Sequence, residues 1–137
     1  MRSLTIKSLF IAAASASLLA ALPSQAAELG PQRSQDAGVG IQVTPLEVAA
    51  TASEWTFSVE LNTHSQNLGD DLAAEAVLVD AAGKPQPAIG WEGDAPGGHH
   101  RKGVLRFAPL SPTPPTIEVR IQRAAEAQPR TFQWSTQ

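Results

Sequence analysis

Three histidines carry the most evident chemistry in this chain. His64 stands in Thr63-His64-Ser65, while His99 and His100 are adjacent in Gly97-Gly98-His99-His100-Arg101-Lys102-Gly103. A neutral imidazole binds Zn2+ or Cu2+ at about 2.0–2.1 Å, and a carboxylate or water completes the shell. The candidate metal set is therefore His64, His99, His100 and Asp71, with Zn or Cu as the ion. Neighbouring residues on extended backbone project to opposite sides, so only one of His99 and His100 is expected to ligate unless the loop bends. Gly97-Gly98 makes such a bend inexpensive. The spacing matches no defined zinc motif. With no cysteine and Met1 as the only methionine, soft Cu(I) sites are disfavoured and thiol redox chemistry is ruled out.

The same residues support a second reading that needs no ion. His64 bonded to Asp70 or Asp71, with Arg101 on a carboxylate, would latch two loops together through charge-assisted hydrogen bonds. Enzymatic readings are weaker. His64 and Ser65 are neighbours in sequence, which is not how a base and a nucleophile meet, and there is no nucleophile elbow. Asp70-Asp71 suits a turn cap or solvated pair better than a glycosidase pair. The three tryptophans suit an interior in which each indole N–H finds a partner. The chain is read as non-catalytic.

The elements that must position these residues alternate with a period of two. Val39, Ile41 and Val43 face one way; Pro45 interrupts, and Leu46 and Val48 resume, as on an edge strand with a proline bulge. In residues 54–62, Trp55, Phe57, Val59 and Leu61 oppose Glu54, Thr56, Ser58, Glu60 and Asn62, the pattern of a strand with one wet face. Residues 75–80 are apolar on both faces, and 81–84 form a turn with Gly83 available for positive φ. A fourth strand is expected at about 86–92, with Ile89 and Trp91, and a fifth at 103–107, with Leu105 and Phe107 inward. In residues 116–123, Ile117, Val119 and Ile121 share a face, and in 130–134 Phe132 and Trp134 do. Helical periodicity extends to one turn at most, near residues 73–76.

These segments predict an all-β fold, a two-sheet antiparallel immunoglobulin-like sandwich of about seven strands without a disulfide. If consecutive connections alternate between the two ends, the loops at 62–74, 93–102 and 124–129 fall at one pole. All three histidines, Asp70, Asp71, Asp94 and Glu126 are then expected there.

Upstream, Arg2 and Lys7 precede an apolar run from Leu9 to Leu22, then Pro23 and Ser24-Gln25-Ala26. This is the pattern of a Sec-type signal peptide spanning residues 1–26, with cleavage after Ala26. The run is shorter than the ~20 residues a spanning helix needs, so no membrane anchor is expected after cleavage. Residues 27–37 lack an apolar period and are expected to form a flexible leader to a single domain at 38–137. Removing 26 of the 137 residues leaves 111, enough for one core. The whole chain carries 10 Lys and Arg against 13 Asp and Glu, and loss of Arg2 and Lys7 takes the balance from −3 to −5. That charge argues against nucleic acid or an anionic membrane as partner. The expectation is a periplasmic or secreted bacterial protein whose partner is another envelope protein.

Thr63-His64-Ser65, Asp71-Leu72, Trp91, the run from Gly97 to Phe107 and the closing Phe132-Gln133-Trp134 also carry a resemblance. They resemble an uncharacterised family of small exported prokaryotic β-sandwich proteins with a THS…DL…W…GGHHRxGxLxF pattern. The resemblance covers most of the mature chain and groups His64 with the double-histidine loop. It implies a sandwich module and supplies no ligand.

Overall fold

Alternating apolar residues along each segment give every strand one face to bury, and the computed structural model, which describes residues 29–137, resolves this into two antiparallel sheets. The expected signal peptide at 1–26 lies outside the described residues. The first sheet contains, in spatial order, β1 (Gln32–Asp36), β2 (Val39–Glu47), β3 (Trp55–Thr63), β7 (His100–Phe107) and β6 (Gly90–Gly93). The second contains β5 (Pro85–Pro87), β4 (Ala76–Val79), β8 (Thr116–Ile121) and β9 (Arg130–Ser135). One helical turn, α1 (Leu72–Glu75), leads into β4. The architecture is the expected two-sheet antiparallel sandwich.

The core forms where the inward faces meet. Ile41, Phe57, Val59, Leu61, Leu105 and Phe107 from the first sheet are buried, as are Leu78, Ile117, Val119, Ile121 and Phe132 from the second. Phe57 meets Phe107 edge-on, with centroids 5.7 Å apart, and Trp134 from the other sheet at the same separation. Each such side chain contributes about 1.5–3 kcal/mol on burial. The indole N–H groups are all satisfied: Trp55 donates to Ala49 O at 3.0 Å, Trp91 to Asp94 O at 3.0 Å and Trp134 to Gly30 O at 2.7 Å.

Among the described residues, nine strands replace the expected seven for two local reasons, and one strand starts earlier than expected. The stretch expected to be a flexible leader contains β1, which pairs with β2 from Gln32 opposite Val43 to Asp36 opposite Val39. Ala37 (φ 46°) and Gly38 (φ 76°) close this hairpin, and positive φ at both central residues is what a two-residue type I′ turn demands. β1 reads Gln-Arg-Ser-Gln-Asp, so it presents no apolar alternation to detect. The expected fourth strand is divided, because at Ala88-Ile89 the chain passes from β5, at the edge of the second sheet, to β6, at the edge of the first. Pro85 and Pro87 suit that edge position, since proline cannot donate to a ladder. Finally, β7 begins at His100 rather than Gly103, so His100, Arg101 and Lys102 belong to a strand and not to a loop. The expected proline bulge is present: the β2–β3 register shifts between Pro45 and Glu47, leaving Leu46 58% exposed.

Candidate functional site

β3 and β7 lie side by side, and this adjacency gathers the histidines. Asn62 is opposite His100 in the ladder, and the Thr63 N–H donates to His99 O at 2.9 Å. Convergence at one pole therefore arises from direct strand pairing rather than from alternating connections. The bend expected at Gly97-Gly98 exists, with φ of 121° and 71°. It lets the loop dock on its neighbour: Gly97 N donates to Leu68 O at 2.8 Å, Leu68 N to Gly98 O at 3.0 Å, and Gly98 N to Asn67 Oδ1 at 3.0 Å. Thr63 Oγ1 donates to Gly38 O at 2.8 Å, and the Gln66 amide donates to Ala37 O, so the β1–β2 turn joins the same pole.

The four candidate ligands separate at this point. His64 and His100 line one recess of about 150 Å3, together with Gln35, Gly38, Asn62 and Thr63. His100 Nδ1 lies 2.6 Å from Asn62 Oδ1. His99 is exposed and contributes its carbonyl to Thr63. Asp71 caps α1, its side chain accepting from Ala74 N at 3.2 Å, the use expected of Asp at an N-cap. Among the described residues, no group of three or more His, Asp or Glu side chains is arranged to hold a metal ion.

In place of the expected latch of His64 on Asp70 or Asp71 with Arg101 on a carboxylate, the loops are tied by arginines. Arg101, 2% exposed, donates from Nη1 to Asp70 O at 2.6 Å and Leu68 O at 3.3 Å, and from Nη2 to Asp94 O at 3.3 Å. Its guanidinium carbon lies 5.5 Å from the Trp91 ring centroid, within cation–π range. The partners are backbone carbonyls and a ring, not the expected carboxylate. Asp70 instead receives Arg123 through both oxygens, at 3.1 and 3.2 Å. Arg123 Nη1 reaches Glu126 Oε1 at 3.0 Å, and Glu126 Oε2 accepts from Arg130 Nε at 2.9 Å. Arg130 then donates to Val39 O at 2.7 Å and Asp36 O at 2.8 Å. A buried chain of alternating charge, Asp70–Arg123–Glu126–Arg130, thus ties the connections around α1 and between β8 and β9 to the first hairpin.

Arg123 and Arg130 were not singled out from sequence, yet a signal existed. Inward parity runs Ile117, Val119, Ile121 and on to Arg123, and Arg130 precedes Phe132 and Trp134 on the same parity. Arg101 likewise precedes Leu105 and Phe107. A charged residue at the core-facing position of a strand end is either paired inside or costly, and here all three are engaged. The electrostatics follow. The hydrogen bond from Arg130, reinforced by Arg123, holds the Glu126 carboxyl below the ordinary glutamate range despite burial. Glu75 goes the other way: burial, then the negative charge of Asp70, raises it, and its Oε2 is buried with no hydrogen-bond partner among the described residues.

Trp91 completes the pole from the edge of the sheet. A Cβ on Gly103 would stand 2.5 Å from Trp91 Cζ2 and 2.7 Å from Glu92 O. Only glycine leaves room for the ring to lie across β7 toward Arg101. Trp91, Arg101 and Gly103 therefore form one structural unit.

No protein-family model and no curated protein matches the chain. Among solved structures, a DUF4426 family protein from Pseudomonas aeruginosa PAO1 aligns over 77% of this chain and 94% of its own, at 11% identity and a TM-score of 0.48.

Chemically, the pole offers exposed imidazoles, amides and an exposed lysine above a fixed base. Lys102 Nζ sits 2.9 Å from Glu60 Oε1 but keeps a 69% exposed side chain. The two aspartates of the 62–74 connection are committed, Asp70 to Arg123 and Asp71 to α1. The arrangement suits recognition by hydrogen bonds and imidazole nitrogens.

Proposed function

We propose that the chain is an exported, non-catalytic binding module that meets a partner protein of the cell envelope through its loop pole. The buried chain Asp70–Arg123–Glu126–Arg130, with Arg101 beside it, carries this reading. Buried ion pairs add little net stability compared with apolar side chains of similar volume. Placing five ionic residues at one end of a sandwich therefore contributes chiefly to loop geometry. Loops already fixed lose less conformational freedom on association, which raises affinity without new contacts. The exposed residues on this base, His64, His99, His100, Asn67 and Lys102, are polar, as the rim of a non-obligate interface is. The net negative charge of the chain disfavours nucleic acid and anionic lipid as the partner.

A photoreactive amino acid placed at position 99, and separately at position 84 in the turn before β5, tests this in the cells that make the protein. Irradiation is expected to give an adduct of discrete mass from position 99 and not from 84. No adduct from 99, or equal adducts from both ends, would rule the pole out as the binding face.

A further inference from the structure

We propose that His64 and His100 together bind one divalent transition-metal ion, Cu2+ in preference to Zn2+, while His99 takes no part. The inference is independent of the protein-partner reading and rests on the small recess between the hairpin turn and the β3–β7 ladder.

Register supplies the first argument. Asn62 and His100 are directly paired on the outer face of the first sheet, and Thr63 between Asn62 and His64 is turned inward and 4% exposed. His64 follows in the bend just past the end of β3, two positions beyond the residue paired with His100. Two imidazoles can share one ion, each bound at about 2.0 Å. Both side chains line the same recess of about 150 Å3. His99 does not line it.

Tautomer supplies the second. Asn62 Oδ1, 2.6 Å from His100 Nδ1, is a carbonyl oxygen and can only accept. The ring must donate from Nδ1, which leaves the Nε2 lone pair free for a metal. An outer partner that fixes ring orientation and tautomer in this way is the usual companion of a metal-binding histidine. Gln35 supplies a further donor: its side chain folds over Gly40, with Oε1 only 2.7 Å from where a Cβ on that glycine would stand, and it lines the recess. Two nitrogens, an amide oxygen and water, without thiolate, favour Cu2+ over Zn2+ in the general order of divalent affinities.

The test is calorimetric titration of the untagged, chelator-stripped full chain with Cu2+ and with Zn2+, together with electron paramagnetic resonance of the Cu2+ form. One equivalent of Cu2+ is expected to bind more tightly than Zn2+, with hyperfine structure from two imidazole nitrogens. His64→Gln and His100→Gln should each weaken Cu2+ binding about tenfold or more, and Asn62→Ala should weaken it through the loss of ring orientation. His99→Gln should leave it unchanged. All four positions are exposed, so unaltered melting curves separate loss of ligation from loss of folding. Absence of saturable binding, tighter Zn2+ than Cu2+, or equal loss in His99→Gln would overturn the assignment.

Discussion

Arg123 is the residue on which most of the pole depends, since it lies between two buried carboxylates, Asp70 and Glu126. Arg123→Met keeps much of the volume but strands Asp70 and leaves Glu126 with Arg130 alone. It should destabilise the fold by about 3–5 kcal/mol, read as a lower midpoint in urea unfolding; a loss under about 1 kcal/mol would show that the pair is idle. The neighbouring carboxyls give opposite pH signs. Glu126 has a folded value below its ordinary 4.5, so its stabilisation is complete above that value and is lost as pH falls through the lower folded one. Glu75 has a folded value above 4.5, so it weighs against folding increasingly as pH rises through that higher value. Glu75→Gln should therefore raise the urea midpoint at pH 7 and bring no gain at pH 4. An equal gain at both pH values would mean that charge is not the cause. At this scale the histidine cluster was legible because residue type and spacing advertise it. The arginine chain was not singled out, because Arg123 reads as solvent-facing until its core-facing parity is followed past the end of β8.

At the scale of elements, β2, β3, β8 and β9 were legible because their alternation reflects burial on one face. β1 escaped because its residues bury almost nothing; its place is set by the positive-φ turn and by Arg130 bonding to the hairpin carbonyls. The turn makes its own prediction. Ala37 occupies a left-handed conformation at φ 46°, which costs an ordinary L-residue about 1–2 kcal/mol and asparagine less. Ala37→Asn should raise the melting temperature, and an unchanged or lower value would contradict the turn assignment. The split of β5 from β6 was hidden because a continuous segment such as 85–93 shows no sign of a change of sheet. The early start of β7 followed from a partner that sequence did not supply, Asn62 on β3. β7 and β6 are matched through a glycine, and Gly103→Ala should displace Trp91 and remove the ring from Arg101. The expected cost is about 1–3 kcal/mol, as for other overpacked sites, with an altered near-ultraviolet circular dichroism signal from the tryptophan; an unaltered signal would show that the ring does not depend on the gap.

Over the whole molecule, both ends of the sandwich have long-range bonds, such as Trp134 to Gly30 O at the far end, but they differ in buried charge. The chain from Asp70 to Arg130 is buried at the histidine end, while Arg106 and Glu54 pair half-exposed at the far end. At the far end, the turn after β4 is held locally, by Asp80 accepting from Ala82 N at 3.0 Å and Lys84 N at 2.9 Å. At the histidine end, bonds span long stretches of sequence, from Leu68 to Gly98, from Asp70 to Arg123 and from Arg130 to Val39. The class of fold could be read from the number of alternating segments. The asymmetry between the ends could not, because it depends on which loops the sheets bring together. It implies that the pole has its shape before anything binds to it. Amide hydrogen exchange of the free protein measures this directly. The N–H groups of Thr63, Leu68 and Gly97 are expected to exchange as slowly as those in the middle of β3. Exchange at rates near those of an unstructured peptide would contradict it.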